Sequence, residues 1–220
     1  MKLSYDIVVV GAGHAGAEAA SAAARLGSRT LLITIDMEKI ASMSCNPAVG
    51  GVAKGQIVRE IDALGGQMAR ITDQSAIQFR MLNRSKGAAM WSPRAQCDKS
   101  EFSRLWRRTL ENTRNLYLWQ DSVTEILLDH TGEKVAVRGV KTRMGVEIEC
   151  RRVVLTAGTF LGGLMHCGTN SAEGGRAGDE ASHGITEQLV SLGFESGRMK
   201  TGTPARLDSR TINFDALEVQ

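Results

Sequence analysis

Two groups of residues in this 220-residue chain have types and spacings that could do chemistry. The first is Gly11, Gly13 and Gly16 in GAGHAG, which follows an apolar run and precedes an alanine-rich stretch. Gly-x-Gly-x-x-Gly in that setting suits a dinucleotide: Gly11 permits a tight turn, Gly13 lets a pyrophosphate approach the backbone, and Gly16 lets helix and strand pack closely. Gly11, Ala12, Gly13, His14, Ala15 and Gly16 therefore form a candidate cofactor-binding turn with a helix N-terminus facing an anion. An ordinary glycine turn is the bland alternative, and the flanking elements weigh against it. The second group is the loop MSCNPAVGGVAK, residues 43–54, with Cys45 as a candidate catalytic nucleophile. A thiol with an unperturbed pKa of about 8.5 is mostly protonated at neutral pH, so it needs a positive or dipolar neighbour. Lys54 and the amides of Gly50 and Gly51 are the candidates. The competing reading makes Cys45 an inert small hydrophobe.

Patterning gives the elements that must hold these groups. Residues 5–10 read as a strand buried on both faces, then a helix runs to about Leu26 with Gly27 at its C-cap, and a second strand covers residues 30–34. That is a βαβ unit. Where an acidic residue usually takes the adenosine ribose, the second strand ends in Thr34, with Asp36 two residues on; both remain candidates. Ile57, Ile61, Leu64 and Met68 predict one amphipathic helix over 55–70 despite Gly65 and Gly66, and 71–96 reads as polar and irregular. Helical patterning resumes over 97–112 through Phe102, Leu105, Trp106 and Leu110. Between 80 and 114 there are nine basic residues against three acidic ones, which suits either a solvated face or a phosphate-backbone footprint. Trp91 beside Arg94 could stack a base or fill a core. From 116 onward the pattern predicts a parallel strand and then a small antiparallel meander at about 122–150. RRVVLTAGTFLGG returns as a strand ending in Thr156, Ala157 and Gly158, a glycine turn at the carboxyl edge of a sheet. Gly174, Gly175 and Gly178 make a further turn, with Asp179 or Ser182 as possible caps of a helix to about Leu192. The fold class is α/β, a doubly wound parallel sheet with a meander insertion. Two glycine turns at strand ends resemble the FAD domain of glutathione-reductase-like flavoproteins, which favours FAD over NAD.

Composition narrows the function classes. A formal net charge of +3 is too small to prove a polyanionic partner. The four cysteines lie far apart without CxxC pairs, which predicts reduced thiols and counts against a dithiol oxidoreductase. The four histidines show no ligand spacing, so no metal site is expected. The start MKLSYDIVVVG has no basic region followed by a long apolar core, and no run of about 18 apolar residues occurs. No membrane association is expected, and the predicted compartment is cytoplasmic.

A closer likeness is carried by DIVVVGAGHAGAEAA, MSCNPAVGGVAKG, REIDALGG, LNRSKGAAMWSPRAQ, VVLTAGTFLGG, GGRAGDEAS and GRMKTGTPARLD. In that order they resemble the bacterial glucose-inhibited division protein A family, also called MnmG. The resemblance implies an FAD-dependent enzyme that, with the GTPase MnmE, installs an aminomethyl or carboxymethylaminomethyl group on C5 of the wobble uridine of tRNA. It further implies methylene-tetrahydrofolate as one-carbon donor, NADH as reductant and a homodimer. Ser182 matches a flavin contact, Val123 a position whose backbone meets the adenine. C5 of uracil is a poor nucleophile until something adds at C6, and a thiolate adding there would activate it, which a loop cysteine could do. The resemblance favours a functional Cys45 and leaves its role open between uracil adduct, carrier of the one-carbon unit and proton donor. The family is considerably longer than this chain. Residues 1–220 are thus expected to be the N-terminal portion of the FAD-binding domain, with 195–220 starting the link to a second domain, and to lack turnover alone. Two rival classes are a flavin-dependent small-molecule or disulfide oxidoreductase and a non-catalytic RNA-binding module using residues 80–114.

Overall fold

The computed structural model describes residues 3–44, 46–202, 205 and 207–218. Strand β1 (Ser4–Val10) leads through the glycine turn into helix α1 (His14–Arg25) and strand β2 (Thr30–Thr34). A short strand β3 (Ala48–Gly50), helices α2 (Lys54–Ala63) and α3 (Met68–Ser75), strands β4 (Ala76–Leu82) and β5 (Ser92–Cys97), and helix α4 (Lys99–Glu111) follow. Then come β6 (Leu116–Gln120), β7 (Val123–Asp129), β8 (Ala136–Thr142), β9 (Glu147–Leu155), the hairpin β10 (Leu164–Cys167) and β11 (Asn170–Glu173), and helix α5 (Ile185–Ser191).

The main sheet has the order β6-β2-β1-β9-β8-β7. Its first four strands pair in parallel, and β9, β8 and β7 form an antiparallel meander. The end of the predicted meander and the returning strand RRVVL are one strand, β9, which is antiparallel to β8 at one end and parallel to β1 along most of its length. The meander therefore extends the main sheet rather than standing off it.

Alternation along the central strands divides two cores. Val9 and Leu32 face α1 and α4, in a cluster with Ala17, Ala20, Ala24, Phe102, Trp106 and Leu110. Val8, Leu31 and Ile33 face the other way, against Val123, Ile126, Val140, Ile148 and Ile185. The small residues of α1 let its axis lie close to the sheet, and Gly27 at φ +98° ends it.

The structure corrects three expectations between 55 and 112. The single helix over 55–70 is two, because Gly65 at φ +87° turns the chain and the Glu18 carboxylate of α1 accepts from the amides of Gln67 and Met68 at 2.8 and 2.5 Å, holding the start of α3. Ile57 and Leu64, read as one apolar stripe, are 54% and 90% exposed. The supposedly irregular 71–96 contains β4 and β5, which pair antiparallel with β3 at the other side of β5. Cys97 closes β5, and Asp98, not Cys97, opens α4: its carboxylate accepts from the amides of Ser100 and Glu101, both at 2.9 Å. Among the described residues beyond 194 the only regular elements are two 3-10 turns, Ser209–Thr211 and Phe214–Ala216. No described helix is long and apolar enough to cross a membrane.

Candidate dinucleotide site

The glycine turn is built by contact between the ends of three neighbouring strands. The Gly11 amide donates to Ile33 O at 2.8 Å, joining β1 to β2. On the other side the Thr156 hydroxyl lies 2.9 Å from Val10 O and 2.8 Å from Gly11 O, donating across to the exit of β1. Gly11 has φ +97°, and a Cβ there would stand 2.8 Å from Thr156 O. At Gly16 a Cβ would stand 1.8 Å from Gly11 O and 2.6 Å from the Thr156 hydroxyl, so helix and turn touch through a bare backbone. The part played by the Thr156 hydroxyl was not legible in the sequence, since nothing in a local pattern tells that β9 pairs with β1.

Gly13 differs from both. It caps α1 at φ −70°, a conformation open to any residue, and a Cβ would meet nothing within 4 Å. Neither backbone strain nor protein packing asks for glycine. Open space at that Cβ position, beside the unsatisfied amides of a helix N-terminus, is a cradle fitted to an anionic group lying against main chain. Ala12 is buried, and its carbonyl accepts from the Ala41 amide at 2.8 Å. Ala15 lies exposed on the first turn, and His14 is exposed over the residue as a whole while its ring is part-covered. His14 Nε2 bonds Ala41 O at 3.1 Å while its ring meets Phe102 edge to face at 5.7 Å between centroids. Burial of the ring holds the His14 pKa below its usual value, and the bond to Ala41 only partly offsets this.

Other sequence candidates fall along the same sheet edge. Thr34 is buried, and its hydroxyl donates to Asp36 O at 3.4 Å. The Asp36 carboxylate accepts from the Glu38 amide at 2.8 Å, capping the 3-10 turn Met37–Lys39, and lies 3.3 Å from Lys39 Nζ. Asp121 donates its amide to Thr34 O at 2.9 Å, which brings the start of β7, with buried Val123, beside the exit of β2. Gly158, at φ +58°, lies exposed just past the exit of β9. Ser182 donates its amide to Phe160 O at 2.7 Å and accepts from the Gly162 amide at 2.8 Å, so its segment is zipped onto the chain leaving β9. The Ser182 hydroxyl is 3.4 Å from that of Ser122. Neither Asp179 nor Ser182 caps α5. Gly184 does, with the Glu187 carboxylate accepting from its amide at 2.9 Å.

Cys45 lies outside the described residues. Of its candidate activators, Gly51 has its amide committed to Pro93 O at 2.8 Å. Burial pushes the Cys150 thiol up to about 11 and raises that of Cys97 as well, which leaves both protonated and inert at neutral pH. Trp91 is 45% exposed, with its indole N–H donating to Arg84 O at 3.3 Å. Arg104 and Arg107 of the basic stretch are ion-paired, with Glu101 and with Glu38 and Glu111 respectively. No cluster of potential metal ligands occurs among the described residues.

The family model of glucose inhibited division protein A matches residues 6–220. The tRNA uridine 5-carboxymethylaminomethyl modification enzyme MnmG of Porphyromonas gingivalis is 64% identical over 97% of the chain, and that of Parabacteroides distasonis 62% identical over all of it. The chain spans about a third of these relatives, 34% and 35% of their lengths. The solved structure of Aquifex aeolicus GidA superposes with a TM-score of 0.91 at 49% identity, over 98% of this chain and 35% of that one. The GidA-related protein of Thermus thermophilus superposes at 0.62 with 26% identity, over 87% of this chain and 69% of that one. Matched by that family model from residue 6 to residue 220, the chain belongs to the glucose inhibited division protein A family.

Proposed function

We propose that this chain is the FAD-binding portion of an enzyme that adds a carboxymethylaminomethyl or aminomethyl group at C5 of the wobble uridine of tRNA. The observation that carries the reading is Gly13, whose missing side chain leaves open space at a helix N-terminus in a chain of this family. Residues 11–16 hold the pyrophosphate, Thr34 or Asp36 meets the adenosine ribose, the Val123 backbone meets the adenine, and Gly158 and Ser182 line the flavin side. FAD supplies the redox chemistry when bound. Cys45 acts in the uridine chemistry as adduct at C6 of the uracil, carrier of the one-carbon unit or proton donor. NADH as reductant, methylene-tetrahydrofolate as one-carbon donor, MnmE as GTPase partner, homodimer formation and a cytoplasmic location belong to the same proposal, and to the whole protein rather than to these residues alone.

The test is an absorbance spectrum of purified protein across the flavin bands, repeated on a Gly13→Val variant. Flavin in the wild type and its loss in the variant support the reading. A folded wild type that takes up no FAD when it is supplied overturns it.

A further inference from the structure

Strand β1 lies between β2 and β9, so the exits of β2 and β9 stand two strand spacings apart, about 10 Å, too far for one backbone hydrogen bond. A side chain joins them. Lys39, closing the 3-10 turn after β2, reaches the Asp179 carboxylate across 140 residues of sequence while also facing Asp36 at 3.3 Å. Asp179 uses its other oxygen to accept from Arg176 Nε at 2.7 Å, and its side chain is only 4% exposed. The segment that carries Asp179 is fastened to the exit of β9: Gly174 donates to Gly163 O at 3.0 Å and Thr159 Oγ1 to Gly175 O at 2.7 Å. The turn that carries Lys39 is fastened to the glycine turn by the Ala41 amide on Ala12 O. Each segment is thus tied to its own strand exit, and the Lys39–Asp179 pair links the two. The bond to Asp179, then that to Asp36, raises the Lys39 pKa; burial pushes the Asp179 carboxyl up, but Lys39 and Arg176 outweigh it and hold it below the usual range. Both partners are charged at neutral pH.

We propose that Lys39 and Asp179 form a strap across the dinucleotide crevice that holds its two walls together and slows the release of bound dinucleotide. The two are positioning residues, and the proposal rests on the FAD reading above. The experiment uses the 220-residue chain in four forms: wild type, Lys39→Met, Asp179→Asn and the charge swap Lys39→Asp with Asp179→Lys. Release of FAD is followed by the recovery of free flavin fluorescence after dilution, and amide hydrogen exchange over residues 174–182 is followed without FAD. Lys39→Met and Asp179→Asn are expected to release FAD about fivefold faster and to exchange faster over 174–182. The charge swap, which sets like charges against Asp36 and Arg176, is expected to release FAD and to exchange at least as fast as the single variants. About 0.5 M salt should speed release from wild type and leave Lys39→Met unchanged. A Lys39→Met protein with wild-type release and exchange overturns the strap and leaves the FAD reading standing. A wild type that binds no FAD overturns both.

Discussion

Gly13 and Gly16 stand three residues apart in one motif, yet their glycines answer to different demands. Gly16→Ala drives a Cβ into Gly11 O and should destabilise the fold by about 3 kcal/mol, read by denaturant unfolding. Gly13→Ala meets open space, so it should cost about 1 kcal/mol or less, the loss of a glycine N-cap, while weakening dinucleotide binding by isothermal titration. Equal stability losses for the two would contradict the cradle. His14 gives a pH dependence whose sign is fixed. Its folded pKa lies below the usual value, so as pH falls the unfolded chain takes up a proton that the folded chain refuses, and stability drops. The thermal midpoint should therefore decline between about pH 7 and pH 5 more steeply in wild type than in His14→Gln. The motif itself was readable because its spacing is local, set between one strand and the helix that follows it. The bonds that make the site three-dimensional, from Thr156 to Gly11 and from Lys39 to Asp179, were not, because their partners lie more than a hundred residues apart.

Helix α4 is the element whose sequence and structure agree best in packing, with Phe102, Trp106 and Leu110 at every fourth position and all fully buried. Its start rests on one residue. Asp98→Ala removes the acceptor of two first-turn amides and should cost about 1 kcal/mol, measured as a shift in the urea midpoint at constant slope. Strands β1 and β2 were equally readable, being short apolar runs closed by turn residues. Strands β4 and β5 were hidden. In AIQFRML the residues Ile77, Phe79 and Met81 do alternate, but Ile77 and Phe79 are 70% and 62% exposed and the surrounding polar residues mask the period. The break between α2 and α3 was missed for a related reason: a helical count of apolar positions ran across Gly65 and Gly66, while the deciding contact comes from Glu18 on another helix.

At the scale of the whole molecule the charge is better described by pairing than by count. Arg104 and Arg107 are engaged with glutamates, whereas Arg84 and Lys86, on an exposed 3-10 turn beside Trp91, have no ion pair among the described residues. If tRNA rests on this face, Arg84→Gln with Lys86→Gln should weaken its binding at low salt and make the slope of log affinity against log salt shallower by about 1.5. An unchanged slope by filter binding would place the RNA elsewhere. The sheet order carries a separate consequence for biosynthesis. Strand β1 leaves the ribosome before either of its neighbours and receives the second of them only when β9, at residues 147–155, has been made. Until then a nascent chain presents one unpaired margin of IVVV, a template for mispairing with other chains, and it is there that a chaperone would have to stand guard.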